Sequence, residues 1–291
     1  MFHHKTNLEK TSLPILTNFA VLENNTSIST NLEDYLTIND DFNLEPGCYD
    51  IKTAYDLLKL GDLAELPKTD HNLSDFPEFP KIEKPLATLE FTRAELKKLF
   101  QNLLKFSSNE ETRYYLNGAL IDSGNFVATN GYILLRVDNC VKFESDQDVI
   151  IRNAFMKKCI KLLARNPKGK VVLSFDENHS KLKTENMELI SKLIDGSYPQ
   201  YDRAIPNKKA KPFDSESILP AVKRAKALKK KCVYLDESGK IVEGLKWGFD
   251  TDYLIRVLNL NPNHAIIDMD GGPSKFENDD STMVIMPERN H

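Results

Sequence analysis

Three stretches of the chain, 92–106, 153–165 and 216–231, each carry apolar residues at helical spacing on one side and lysines or arginines on the other. Short strand-like runs separate them, and this alternation limits the fold more than any other feature. In 92–106, Leu96, Leu99, Phe100, Leu103 and Leu104 face one way, and Thr92 followed by Glu95 has the form of a capping box. In 153–165, Phe155, Cys159, Ile160, Leu162 and Leu163 share a face, while Lys157, Lys161 and Arg165 recur every four residues. In 216–231 the inward set is Ile218, Leu219, Val222, Ala225 and Leu228, and Pro220 requires the helix to begin close to it. The runs 114–121, 125–130, 133–137, 171–175 and 188–194 read as strands, with Asn117-Gly118 and Asn130-Gly131 available for positive φ at turns. Helices interleaved with groups of strands predict an α+β fold with helices on one face of antiparallel sheet.

The charge is segregated. The formal net charge of the 291 residues is -4, yet 92–106 carries a net +3, 152–170 a net +7 and 216–231 a net +5, so the remainder is strongly acidic. A single basic helix face is ordinarily a solvated surface. Three of them on an anionic body suit a polyanion that is held locally, through lysines acting as point charges on phosphates without reading sequence.

Other function classes find little support. Neither G-x-G-x-x-G nor G-x-x-x-x-G-K-[ST] occurs, no H-E-x-x-H is present, and no carboxylate pair stands out for acid and base roles, so the chain is expected not to be an enzyme. Cys48, Cys140, Cys159 and Cys232 are scattered and read as reduced core thiols. His3 and His4 could grip a stray metal ion but read more simply as a frayed terminus, and no metal site or cofactor is expected. There is no apolar window of membrane-spanning length and no signal-peptide core in the first 30 residues, which predicts a cytoplasmic protein.

The proline-bearing stretches 75–85 and 206–212 read as extended linkers and divide the chain into 1–85, 86–208 and 209–291. Within these parts 42–60, 149–163 and 245–258 each run from a strand into a helix, with Asp50, Arg152 and Asp250 at the junction and Tyr55, Phe155 and Tyr253 inside. A threefold internal repeat follows as a hypothesis.

At 112–121 (TRYYLNGALI), 127–135 (VATNGYILL) and 189–206 (LISKLIDGSYPQYDRAIP) the order and spacing resemble the bacterial β sliding clamp family of DNA polymerase III, with SLPILTN at 12–18 and MVIMPER at 283–289 as further matches. The resemblance implies three repeated clamp domains, helices inside and antiparallel sheets outside. It implies a homodimeric ring that encircles double-stranded DNA without sequence specificity and tethers a replicative polymerase, with a clamp loader as a further partner. The outer thirds are shorter than the middle one, as a trimmed, phage-borne relative would be. The competing reading is a clamp-like interaction protein that closes no ring and competes for clamp-binding peptides or modulates a host clamp.

Carried over by position, Arg93, Lys97, Lys157, Lys161, Arg165, Lys223 and Lys226 face DNA, with Tyr114 and Tyr115 near its path. The implied partner-peptide groove uses Leu116, Thr129, Gly131, Tyr132, Leu134, Pro199, Arg203, Ala204, Val284, Ile285, Met286 and Pro287. The implied subunit interface includes Ala227 and Leu228. Glu288 stands where the family often carries an apolar residue, which predicts an altered peptide preference.

Overall fold

A computed structural model describes the chain except residues 1, 9–10, 40–41, 123, 139–147, 165–168 and 290–291. The first third contributes β1 (Asn18–Val21), β2 (Thr26–Thr30), β3 (Asp34–Asn39), β4 (Gly47–Asp50) and α1 (Ile51–Leu60). The middle third follows with β5 (Ala87–Thr92), α2 (Arg93–Phe106), β6 (Gly118–Asp122), β7 (Asn125–Thr129), β8 (Ile133–Asp138), β9 (Val149–Arg152), α3 (Asn153–Leu163), β10 (Lys170–Phe175), β11 (His179–Lys183) and β12 (Met187–Lys192). The last third adds β13 (Lys211–Pro212), α4 (Ser215–Ala227), β14 (Cys232–Val233), β15 (Trp247–Asp250), α5 (Thr251–Leu258), β16 (His264–Ile266), β17 (Ser274–Glu277), β18 (Ser281–Ile285) and β19 (Glu288–Arg289). The fold is α+β, and the strand pairs among the described residues are all antiparallel.

The described residues of Met1–Gln101 and Ala154–Leu193 form one compact unit, and those of Asn102–Lys142, Asp146–Asn153 and Ile194–His291 form another. The first unit holds an eight-stranded sheet in the order β4-β1-β2-β3-β12-β11-β10-β5, in which β3 joins the first third to the middle third by pairing Leu36 with Leu189. Alternation along its strands sorts residues onto two faces. Phe19, Val21 and Tyr49 pack with Ile51 and Ala54 of α1, whereas Ala20, Cys48 and Ile28 pack with Phe76 and Phe79. The segment expected to be a loose linker at 75–85 is therefore a covering for the sheet: Phe76 and Ile82 are buried, and Phe79 meets Tyr35 edge to face at 5.1 Å. Prolines keep it extended, and its aromatic residues supply the packing that a helix would otherwise provide.

The start of the chain is not frayed either. Residues His3–Asn7 form a 3-10 turn over β2, where the small Ser27 and Ser29 leave room for it. The His4 imidazole is fully buried, 2.8 Å from each of the Ser29 and Ser27 hydroxyls, and stacks on Phe19 at 4.9 Å. Asn7 donates to the Ser29 carbonyl oxygen at 3.0 Å and accepts from the Lys158 ammonium at 2.9 Å. That ammonium, on α3, is itself buried against the Asp34 carboxylate at 2.5 Å. One of the lysines in the basic stretch 152–170 is thus a core group.

The second unit holds an eight-stranded sheet in the order β13-β16-β17-β18-β8-β7-β6-β9 and a three-stranded sheet β14-β15-β19. Here β18 joins the last third to the middle third, pairing Val284 with Leu134 and Ile285 with Ile133. The second expected linker also enters a sheet, because Lys211 and Pro212 pair with Ala265 and His264. Two turn expectations differ from the structure. Residues Glu111–Leu116 form a 3-10 stretch in place of the start of a strand, and Gly118 lies in β6, where the position needs glycine because a Cβ would stand 2.4 Å from the Ile151 carbonyl oxygen. Gly131 does take positive φ, at 91°. In α4 Pro220 is tolerated in the sixth position, and Asp214 caps the helix by accepting from the Ser217 N–H.

Burial holds the pKa of His4 down at about 3, with His3 adding repulsion. The unfolded chain therefore binds a proton between about pH 6.5 and 3 that the folded chain refuses, so stability falls as pH drops through that window by about 1.4 kcal/mol per unit. Denaturant unfolding followed from about pH 6 to 4 should show this slope, and His4→Gln should flatten it; an unaltered slope in the variant would assign the acid sensitivity to other groups.

Candidate functional site

The residues singled out in the sequence fall into two sets, and the first is cationic, with members in each of the two compact units. Lys157 and Lys161 are exposed one helical turn apart on α3, and Lys97 is half-buried on α2. Arg93 differs, since it is 7% exposed and its Nε has no hydrogen-bond partner among the described residues. It stands at the first turn of α2, with its backbone N–H donating to the Gly169 carbonyl oxygen at 3.1 Å. Arg165 lies outside the described residues. On α4 Lys223 is exposed, whereas Lys226 is paired with Asp252 at 2.5 Å. Beyond that helix Lys230 and Lys231 meet Glu243 at 3.7 Å and Glu288 at 2.7 Å, so part of the local +5 is neutralised in place. Tyr114 is exposed and Tyr115 half-buried, with their rings edge to face at 5.8 Å.

The second set is apolar and is built on β7, β8 and β18. Leu116, Leu134 and Val284 lie in one buried cluster with Leu120, Val127, Ile150, Tyr198 and Tyr201. Ile285, the neighbour of Val284 on β18, points to the opposite face with Ile133 and is fully buried, so the structure does not bring it to this cluster. Thr129 and Gly131 shape the β7–β8 turn. The Thr129 hydroxyl donates to the Ile133 carbonyl oxygen at 2.7 Å and accepts from the Gly131 N–H at 3.0 Å. Gly131 is required twice over, by its positive φ and because a Cβ would come 2.7 Å from Nη1 of Arg113. That guanidinium is held by Glu110 at 2.7 Å.

The turn presents Tyr132 outward, 52% exposed, with its ring stacked on Tyr253 of α5 at 6.2 Å. Asn130 donates to the Tyr253 hydroxyl at 3.2 Å, and the Arg256 guanidinium lies 5.3 Å from the Tyr253 ring centroid. The Met286 N–H donates to the Tyr132 carbonyl oxygen at 2.8 Å, so the turn and the chain leaving β18 are fastened together. Met286 is 37% exposed, Pro287 and Ala204 are half-buried, and Pro199 and Arg203 are exposed on the segment that carries Tyr198 and Tyr201. Tyr253, Asn130 and Tyr198 are not among the site residues expected from the sequence, although Tyr253 and Asn130 read there as a helix residue and a turn residue. Only the VATNG and YPQY strings near them gave any signal, because their partners lie far along the chain.

Two buried phenols fix this floor. Tyr198 accepts from the Thr129 N–H at 3.0 Å, and Tyr201 donates to Asp122 at 2.7 Å; burial pushes both phenols well above their ordinary pKa, aided at Tyr201 by Asp122. They act as neutral hydrogen-bonding groups, not as acids. Ala227 and Leu228, at the end of α4, are exposed, Leu228 to 65%. Leu228 borders an apolar pocket of about 340 Å³ with Ala221, Val233, Ile241 and Val242, rimmed by Arg224 and Lys230. Cys48 and Cys159 are buried free thiols, and the Cys232 thiol is pushed up to about 11 by burial and Glu288; Cys140 lies outside the described residues.

Strand-to-helix units carried on long antiparallel sheets make up a fold of the DNA-clamp type. Residues 90–200 match the family model for the DNA polymerase III beta subunit, central domain. The chain is 29% identical to the beta sliding clamp of Vibrio cholerae over 268 residues, covering 78% of this chain and 70% of that one. It is 25% identical to the beta sliding clamp of Pseudomonas aeruginosa over 270 residues, covering 78% and 73%. The fold matches the crystal structure of the DNA polymerase sliding clamp from Caulobacter crescentus at a TM-score of 0.78 and 19% identity, across 99% of this chain and 96% of that one. It also matches the DNA polymerase III beta subunit from Thermotoga maritima at 0.77 and 17% identity, across 100% and 96%. The chain is thus similar to bacterial β sliding clamps in sequence and shares their fold.

Tyr198→Phe keeps the ring and removes the hydroxyl that accepts from the buried Thr129 N–H, which should cost about 1–3 kcal/mol. Chemical denaturation checks the figure, and a change within error of zero would mean that this hydrogen bond does not hold the turn.

Proposed function

We infer that this protein is a DNA polymerase processivity factor: it encircles duplex DNA and tethers the replicative polymerase. The observation that carries the reading is the pairing, in a relative of sliding clamps, of exposed Lys157 and Lys161 on α3 with an otherwise acidic chain. Cations on a helix face attract phosphate without choosing a sequence, which permits sliding, and acid elsewhere discourages the DNA from binding outside. The division into 1–85, 86–208 and 209–291 is then one of three clamp domains. Lys97 on α2 adds a half-buried cation in the same unit as α3, Lys223 on α4 offers an exposed one and Lys226 one shared with Asp252, whereas the burial of Arg93 limits it to the first turn of α2. Tyr114 and Tyr115 lie beside the DNA path.

A ring needs a second copy. The exposed Leu228, the apolar pocket beside it and Arg224 on its rim offer a surface for the first third of a neighbouring subunit. The end of α1 has complementary character, with Leu58 and Leu60 exposed beside Asp56 and Asp62. Light scattering on the eluted protein should give a dimer, and Leu228→Asp should give a monomer. A wild-type monomer would favour the reading in which the chain competes for clamp-binding peptides without closing a ring.

The surface around Tyr132, Met286 and Pro287 is the proposed groove for a short peptide of the polymerase, with a clamp loader as a further user. Leu116, Leu134 and Val284 form its floor, and Pro199, Arg203 and Ala204 its second wall. An exposed methionine and tyrosine over a buried apolar floor suit leucine and phenylalanine anchors.

Two measurements test the function. Lys157→Glu with Lys161→Glu should abolish retention on circular DNA while leaving the thermal transition in place; full retention would refute the cationic face. Deleting 286–291 should weaken binding of the polymerase's peptide at least tenfold in fluorescence polarisation, and unchanged affinity would refute the groove.

A further inference from the structure

The strand-to-helix junctions give the chain an internal register. β4 runs into α1 at Ile51, β9 into α3 at Asn153 and β15 into α5 at Thr251, and all three first helical residues are buried. The fourth position is also buried in each helix, as Ala54, Met156 and Leu254 at 0% exposure. With the inward faces matched in this way, Tyr55 of α1 stands where α3 carries Lys157, and Lys59 stands where α3 carries Lys161. α1 keeps one exposed lysine of the pair and has an aromatic ring in place of the other.

That ring is not left without a cation. The Lys5 ammonium lies 3.5 Å from the Tyr55 ring centroid, and the Lys59 ammonium lies 4.0 Å from it. Lys5 belongs to the His3–Asn7 turn, which buried His4 and Asn7 fasten to the sheet, so its ammonium is delivered from an anchored backbone. The ring attracts both ammonium groups and so holds two like charges near one side chain, where a polyanion gains from each of them. Among the described residues Lys59 has one ion-pair partner, Asp56 at 3.6 Å, and each side chain of that pair is 58% exposed, so solvent screens the interaction.

The geometry points to Lys5 and Lys59, gathered over Tyr55, as a contact site for duplex DNA phosphates in the first third, with Lys5 supplying from the N-terminal turn the charge that Lys157 supplies on α3. The site rests on the DNA-facing reading of α3 and extends it to the part of the chain whose sequence showed no basic helix.

Binding of a fluorescent duplex, followed by anisotropy through a salt titration of the full chain, tests the site. Lys5→Gln with Lys59→Gln should reduce the slope of log K against log salt by roughly 1.8, about 0.9 for each lost phosphate contact. Lys5→Arg with Lys59→Arg should keep the slope. Lys157→Gln with Lys161→Gln serves as the reference pair. If the reference pair lowers the slope and the Lys5 and Lys59 pair does not, this site is wrong and the reading of α3 survives. If neither pair changes it, both fall. Should the double variant melt early, Lys59→Gln alone should still lower the slope by about 0.9, and an unchanged slope in that variant overturns the site.

Discussion

Two edge-to-edge strand pairings organise everything else in this protein. β3 pairs with β12 through five registered positions from Ile38 with Met187 to Asp34 with Ser191, and β18 pairs with β8 through five from Ser281 with Val137 to Ile285 with Ile133. Each pairing covers two strand edges that would otherwise present unpaired N–H and C=O groups, and so turns short sheets from different thirds into an eight-stranded one. A one-residue slip at either place would reverse which side chains face the core. The alternation of Leu36 and Ile38 with Tyr35 and Thr37 on β3, and of Val284 with Ile285 on β18, is therefore under a constraint set by a partner strand about 150 residues away.

This non-local constraint marks the limit of what the sequence made legible. Helices α2 and α3 follow from apolar spacing, because that signal is local and each helix buries one stripe. The β7–β8 turn follows from Asn130-Gly131, because positive φ there is a property of the residue type. The anchoring of His4 and Asn7 could not be read, since it depends on Ser27, Ser29 and Lys158, the last lying 151 residues from Asn7. The 75–85 segment misled for a related reason. Its prolines correctly indicate extended backbone, but extended chain laid on a sheet by Phe76 and Phe79 is indistinguishable in composition from extended chain in solvent.

Charge is subject to the same limit, because a count of lysines treats each of them as equally available. Lys158 neutralises buried Asp34, and Lys226, Lys230 and Lys231 meet carboxylates, so these four contribute far less to a surface field than their number suggests. Lys157 and Lys161 are exposed, and no ion pair to either occurs among the described residues. The candidate polyanion-facing charge is therefore concentrated on fewer residues than the composition implies, and each of them carries more of the salt dependence. Lys5 adds to the count from a place where no periodic pattern announced it.

The apolar surface at the β7–β8 turn shows how a tail so close to the last residues becomes ordered. After β18 the chain is fixed on one side by the Met286 N–H on the Tyr132 carbonyl oxygen, and on the other by β19, where Gly248 pairs with Glu288 and Trp247 with Arg289. The Glu288 carboxylate accepts from the Lys231 ammonium at 2.7 Å, and that hydrogen bond is the main reason its pKa is held low. Met286 and Pro287 are thereby suspended between two anchored points, with proline limiting φ and methionine keeping a flexible side chain. A ligand arriving there would find the backbone already ordered and only side chains left to settle, which removes part of the entropic cost of binding. Glu288 thus has a structural partner that is independent of any peptide: an apolar residue in its place would take the carboxylate away from Lys231, while the backbone pairing of β19 with β15 would still hold the tail.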